Sequence, residues 1–221
     1  YLRREGCTRL ELMVATHAHR DHIGGLPALL DALPVAQAWD AGQPSRTAVN
    51  DALLASWLRH DVPFEQVHPG VRRVIDGVAF DVLSAGRDLR DLNNGSVVVM
   101  LTYGRFRALL TGDMQQAAEQ KLLESQRDLH ADVLKVAHHG SRTGTTDAFL
   151  ARVRPRFAVI SVGADNRFGH PHVSTLRRLR RFRVPYRRTD QDGAVLVRSD
   201  GRIWQECDGR TQWAAWAQPK D

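Results

Sequence analysis

The chain has 221 residues, 43% hydrophobic and 25% charged, a composition that can bury a globular core without disulfides. Its formal charge is +6, from 31 basic against 25 acidic residues, and only three of the basic residues are lysine. No apolar run of eighteen residues exists to span a membrane, the opening YLRREGCTRLE has no signal-peptide core, and two cysteines cannot make a disulfide framework. Tyr1 is not an initiator residue, so the sequence reads as a piece of something longer.

In chain order, LELMVAT (Leu10–Thr16) is an apolar run of strand length that ends directly on a dense polar cluster, HAHRDH. Gly24 and Gly25 break the chain, and LPALLDAL with Pro27 in its first turn predicts a short helix. VAQAWDA (Val35–Ala41) reads as a strand. Val49, Leu53, Leu54, Trp57 and Leu58 recur at helical spacing within SRTAVNDALLASWLRH. Four strands follow in VRRVI, VAFDVLSA, SVVVMLTYG and FRALLTGD, the last two joined at Tyr103-Gly104-Arg105. QQAAEQKLLESQ has strong helix propensity throughout. ADVLKVAHHGS reads as a buried strand, TTDAFLARV as a helix and FAVISVG as a strand. VSTLRRLRRF reads as a helix capped by Ser174 or Thr175. AVLVRS and RIWQEC form a predicted hairpin turning at Asp200-Gly201, and TQWAAWAQPKD is a tail. Strands alternating with helices and no repeat predict one α/β domain over 1–210, followed by a tail at 211–221.

Four polar clusters follow predicted strands: HAHRDH, TGD (Thr111–Asp113), HHGS (His138–Ser141) and GHPH (Gly169–His172). Strand ends of a layered α/β fold can converge on one edge, which would gather these residues into one site. An extended backbone points His17 and His19 to the same side, while the adjacent Asp21 and His22 can face a second position. Two neighbouring sets of nitrogen and carboxylate ligands suit two divalent ions about 3.5–4 Å apart. The plain alternative is a polar loop with coincidental histidines. Asp113 could bridge such ions through its two oxygens. Of His138 and His139, one is expected to ligate and the other to pack, cap or contact substrate. His170 and His172 flank Pro171 in a loop. Arginines 177, 178, 180, 181, 183, 187 and 188 form either a solvated helix face or a phosphate-tracking surface.

THAHRDHIGG resembles the HxHxDH signature of metallo-β-lactamase-fold hydrolases. With NNGSVVVMLTYGRFRALLTGD, ADVLKVAHHGSRTGT and FAVISVGADNRFGHPHVSTLRRL, the chain is similar to the C-terminal hydrolase-like domain of ComEC-type DNA-uptake proteins. The resemblance covers about Leu2 to Glu206. It implies an αββα sandwich, here lacking the family's opening N-terminal strands, because neither a DVGQGD-like segment nor the following DAG is present. It implies two divalent ions, zinc or manganese, or a single ion. His17 and His19 would hold one, and Asp21, His22 and His139 the other, with Asp113 between them. Asn93 and Asn94 stand where the superfamily has a further histidine. Catalytic roles would fall to Asp21, His138 and His170, and DNA phosphate contacts to Asn94, Ser141, His172, Arg177, Arg178 and Arg181.

The implied activity is hydrolysis of single- or double-stranded DNA by metal-activated water during natural transformation. The domain would not insert into the membrane. It would lie on the periplasmic or extracellular face of a bacterial inner membrane, beside the channel portion of the same longer protein. The rival expectations are a weakly active or inactive DNA-binding module of the transporter, and a hydrolase of a small phosphodiester.

Overall fold

The computed structural model describes residues 2–86 and 91–208, so the expected tail at 211–221 lies outside the described residues. The elements in order are β1 (Met13–Ala15), α1 (Arg20–Ile23), α2 (Leu26–Ala32), β2 (Ala38–Asp40), α3 (Ala48–Arg59), β3 (Phe64–Gln66), β4 (Arg72–Ile75), β5 (Val78–Ser84), β6 (Val98–Tyr103) and β7 (Phe106–Leu110). They continue with α4 (Gln116–Glu124), β8 (Val133–Lys135), a 3-10 turn (Ala137–Gly140), α5 (Asp147–Val153), β9 (Phe157–Ile160), α6 (Val173–Arg181), β10 (Tyr186–Arg188), α7 (Thr189–Asp192), β11 (Val195–Ser199) and β12 (Trp204–Asp208).

The strands form a parallel sheet β1-β2-β3, a seven-stranded sheet β10-β9-β8-β7-β6-β5-β4, and the hairpin β11-β12. In the large sheet β7 through β10 are parallel and β4 through β7 antiparallel. Side chains alternate across each strand, and the alternation sorts the core into layers. Met13, Ala15 and Ala38 face outward onto Ile23, Leu30, Leu53 and Trp57 of α1, α2 and α3. Trp39 turns inward and meets Val82, Val97 and Val99 of the large sheet. On the far face Val98, Met100, Leu109, Leu134 and Ala158 pack under α4, α5 and α6 through Leu122, Phe149, Leu150 and Leu179. The layers are helices, sheet, sheet, helices, the αββα sandwich that the resemblance implies. The hairpin covers the rest of the inner face, with Val195, Val197 and Trp204 over Phe106, Val133 and Phe157.

Several boundaries differ from the sequence reading. Of the five apolar positions expected on α3, Leu53 and Trp57 are buried, while Leu54 and Leu58 face solvent. The terminal hairpin turns through Asp200–Ile203 rather than a two-residue turn, with Asp200 Oδ1 accepting from the N–H groups of Arg202 and Ile203. Neither Ser174 nor Thr175 caps α6: His172 does, its side chain accepting from the Ser174 N–H. The basic run divides between α6 and β10, where Arg187 pairs with Glu206 at 2.5 Å and Arg188 pairs with Asp190. Cys7 and Cys207 are both free. Among the described residues no helix is long and apolar enough to cross a membrane.

Candidate metal centre

Four chain segments meet at one edge of the sandwich, each just beyond the C-terminal end of a parallel strand. After β7 the chain turns through Thr111 and Gly112 to Asp113. Gly112 has φ +53°, and a Cβ there would lie 2.8 Å from Ser96 Cβ, so the turn needs glycine. The Asp113 N–H donates to Ser96 Oγ at 3.0 Å, and the residue is only 2% exposed.

Beyond β1 the chain bends at His17 and Ala18 rather than running on extended as the sequence reading expected, and the two imidazoles still meet, His17 Nε2 lying 3.1 Å from His19 Nδ1. The chain then enters α1, which the sequence reading did not anticipate. This single helical turn aims His22 back toward Asp113. The His22 Nε2 to Asp113 Oδ2 distance is 3.1 Å, and Asp21 Oδ2 stands 3.6 Å from the same nitrogen.

The third segment, after β8, is backbone-strained. His138 (φ 47°, ψ 52°) and His139 (φ 53°, ψ 22°) are both left-handed, which costs on the order of 1–3 kcal/mol each. This conformation lets adjacent histidines face one site, which a regular strand forbids. His139 Nε2 is 3.3 Å and His138 Nε2 3.8 Å from Asp113 Oδ2. His139 Nδ1 donates to the Ser161 carbonyl at 2.7 Å, leaving Nε2 as the inward nitrogen.

A buried polar network holds the turn. The Ala137 N–H donates to Thr145 Oγ1, and the N–H groups of Thr145 and Thr146 donate to the Glu119 carboxylate. The Arg178 guanidinium donates to the carbonyls of Gly144 and Thr145 at 2.7 and 2.8 Å. Gly140 (φ +83°) lies so close to Pro171 that a Cβ would stand 2.6 Å from Pro171 Cβ.

These positions fit a divalent ion. Asp21, His22, Asp113 and His139 each offer a ligand atom, all within 4.8 Å of one another. A tetrahedron with bonds of about 2.0–2.1 Å has edges of about 3.3 Å. The measured separations are 3.1 Å (His22–Asp113), 3.3 Å (His139–Asp113), 3.2 Å (His22–His139), 3.4 Å (His139–Asp21) and 3.6 Å (His22–Asp21). Asp113 Oδ1 is buried with no hydrogen-bond donor, and Lys135 Nζ is 3.9 Å away.

The electrostatics agree. Burial opposes ionisation of Asp113, but hydrogen bonds from His139 and His22 and the Lys135 charge outweigh it and hold the carboxyl well below its usual range. Burial, then the charge of His22, pushes the His17 imidazole down to about 3. Burial also lowers His138 and His170, whereas the hydrogen bond to Asp113 raises His139. The buried anionic carboxylate is the group that a divalent ion at this place would neutralise. The His17–His19 pair adjoins this set, with His17 Nε2 3.9 Å from Asp113 Oδ2.

Of the residues expected to contact DNA phosphate, several have partners within the fold. Asn94 Oδ1 accepts from the N–H groups of Gln115 and Ala118 at the start of α4, and its Nδ2 donates to Asp91. Ser141 is buried and hydrogen-bonds Thr143, and Arg178 is committed to backbone carbonyls. His172 caps α6, and Arg181 pairs with Asp147. Arg177 remains exposed on α6. His170 lies beside the cluster, its ring 5.5 Å from that of His138. Sequence reasoning missed Lys135 and Glu119. An ionisable group inside the apolar run VLKVA was the available signal for Lys135; Glu119 sits in an ordinary helix and offered none.

The Metallo-beta-lactamase superfamily model matches residues 4–164. ComE operon protein 3 of Bacillus subtilis is 33% identical, the alignment covering 92% of this chain and 26% of that protein. Competence protein ComA of Neisseria gonorrhoeae is 31% identical over 86% of this chain and 25% of its own length. The chain thus spans about a quarter of these relatives, which are ComEC-type competence proteins. The crystal structure of CmlA, a diiron beta-hydroxylase from Streptomyces venezuelae, superposes with a TM-score of 0.58 at 12% identity, covering 82% of this chain and 44% of that one, a likeness of fold alone. The chain belongs to the metallo-beta-lactamase superfamily.

Proposed function

We propose that this metallo-beta-lactamase superfamily domain is a metal-dependent phosphodiesterase acting on DNA within a DNA-uptake protein. The observation that carries the reading is the convergence of Asp21, His22, Asp113 and His139, whose ligand atoms lie 3.1–3.6 Å apart in five of six pairs and all within 4.8 Å of one another. These residues would hold one divalent ion, zinc or manganese, and His17 and His19 with Asp113 would hold a second. A bound ion supplies a Lewis acid and an activated water. The surrounding side chains orient and stabilise. His139 is fixed in orientation by Ser161. His138 and His170, whose pKa values burial lowers, would donate a ring N–H to phosphoryl oxygens or move a proton at the leaving group. Exposed Arg177 and the +6 charge favour a polyanionic substrate. Similarity to competence proteins supports a role beside the channel of a longer polypeptide, on the outer face of the inner membrane.

One observation favours a second reading. Four protein ligands make a closed set, the arrangement of a structural metal, and catalysis then requires exposed Asp21 to yield or the coordination to expand. Under this reading the domain binds metal and DNA without turnover.

Incubating the chain with Mn²⁺ or Zn²⁺ and single- or double-stranded oligonucleotides separates the two. Cleavage abolished by EDTA, and reduced on the order of 100-fold or more in Asp113→Asn, is the expected result. Elemental analysis showing bound metal alongside intact DNA under every ion establishes the second reading instead.

A further inference from the structure

Phe168 is 80% exposed, more than any other large hydrophobic side chain among the described residues, and it lies two residues before His170. An exposed aromatic of this kind normally lies on a loose loop; this one is braced. Asn166 Nδ2 donates to the carbonyls of Gly163 and His170 at 2.9 and 2.8 Å, and its Oδ1 accepts from the His170 N–H at 2.9 Å. One face of the Phe168 ring is stacked near His170, with centroids 6.0 Å apart and planes 24° from parallel. His170 leads on to His138 at 5.5 Å, and His138 Nε2 to Asp113 Oδ2 at 3.8 Å. A row of rings therefore runs from solvent to the buried carboxylate. Arg167 beside it is exposed, as is Arg177 on α6, and among the described residues neither forms an ion pair.

We propose that Phe168 is a stacking platform for a nucleobase, holding single-stranded nucleic acid so that an adjoining phosphodiester reaches the metal centre. This rests on the phosphodiesterase reading and names its substrate class. Every base offers a π-face to an aromatic ring, so stacking is indifferent to sequence, while exposed arginines steer the backbone. A duplex has its bases stacked internally and presents no face, so the platform selects for single strands.

The test measures fluorescence anisotropy in EDTA, which prevents cleavage. It uses a labelled single-stranded oligonucleotide, an abasic oligonucleotide of equal length, and a duplex. Phe168→Ala is expected to weaken binding of the single strand about tenfold while leaving the abasic strand and duplex unchanged, and Phe168→Trp to restore it. Equal losses on all three probes, or no loss on the single strand, overturn the platform. A wild-type chain that binds none of the probes overturns the platform, while the phosphodiesterase is judged separately by cleavage with Mn²⁺ or Zn²⁺. A chain whose single-strand binding depends on Phe168, but which cleaves nothing with any divalent ion, retains the platform and loses the phosphodiesterase.

Discussion

Asp113 and His17 illustrate how a residue's surroundings commit it to one charge state. Asp113 stays anionic although buried, because two imidazoles and Lys135 favour its charge. His17 stays neutral because nothing offsets its burial strongly enough. The second fact fixes a pH dependence. In the unfolded chain His17 takes a proton at about 6.5, whereas in the folded chain it does so only near pH 3. Below pH 6.5 protons therefore favour the unfolded state, by about 1.4 kcal/mol per pH unit, until the folded form also protonates. His139, whose pKa is raised, works in the opposite sense, so the readout is the difference from a variant. Between pH 7 and pH 5, urea unfolding of the metal-free protein should show the wild type losing about 2 kcal/mol more than His17→Asn. Parallel pH profiles would refute this account. Residues of this kind were partly legible in the sequence. HAHRDH announced ligands through its density, but Lys135 acquires meaning only when β8 sets it beside Asp113.

Helix α6 shows why a run of like charges cannot be read residue by residue from sequence. Its arginines look equivalent in TLRRLRRF, yet Arg178 points inward onto the carbonyls that fix the His139 turn, while its neighbour Arg177 faces water. Removing Arg178 leaves several charge-assisted hydrogen bonds unmade, so Arg178→Ala should cost about 2–3 kcal/mol in denaturant unfolding and lower the metal bound per chain. Arg177→Ala should leave stability within about 0.5 kcal/mol and reduce the salt slope of DNA binding by about 1. Identical behaviour of the two variants would contradict the assignment. The sequence also concealed β3 and β10. Each has three residues at a sheet edge, and β3 is exposed along its whole length, so neither showed the apolar alternation that marks a half-buried strand. The longer strands β5, β6 and β7 were legible because their buried faces are continuous.

Across the whole molecule the site draws on both sheets, which pack on each other through Trp39, Val82, Val97 and Val99. His17, His19, Asp21 and His22 follow the small sheet, and Asp113, His138, His139 and His170 follow the large one. An ion held by both sets binds only the folded chain, and at a hundred times its Kd it adds about 2.7 kcal/mol. For a domain of this size that raises Tm by about 5–10 °C, which EDTA should reverse in a calorimetric scan. Asp113→Asn should melt at one temperature with or without metal. The alternation of strands and helices made the layered architecture legible in advance. Which layer each strand joins was not, because pairing between β1 and β2, or between β7 and β8, depends on contacts distant in the chain.

The division of ligands between the sheets also bears on when the chemistry can exist. A polypeptide that has formed only its first sheet carries imidazoles without the buried carboxylate. One that has formed only the second carries the carboxylate without His17, His19 and His22. A half-assembled chain therefore lacks part of the ligand set, and the candidate metal site is complete only once the two sheets have docked.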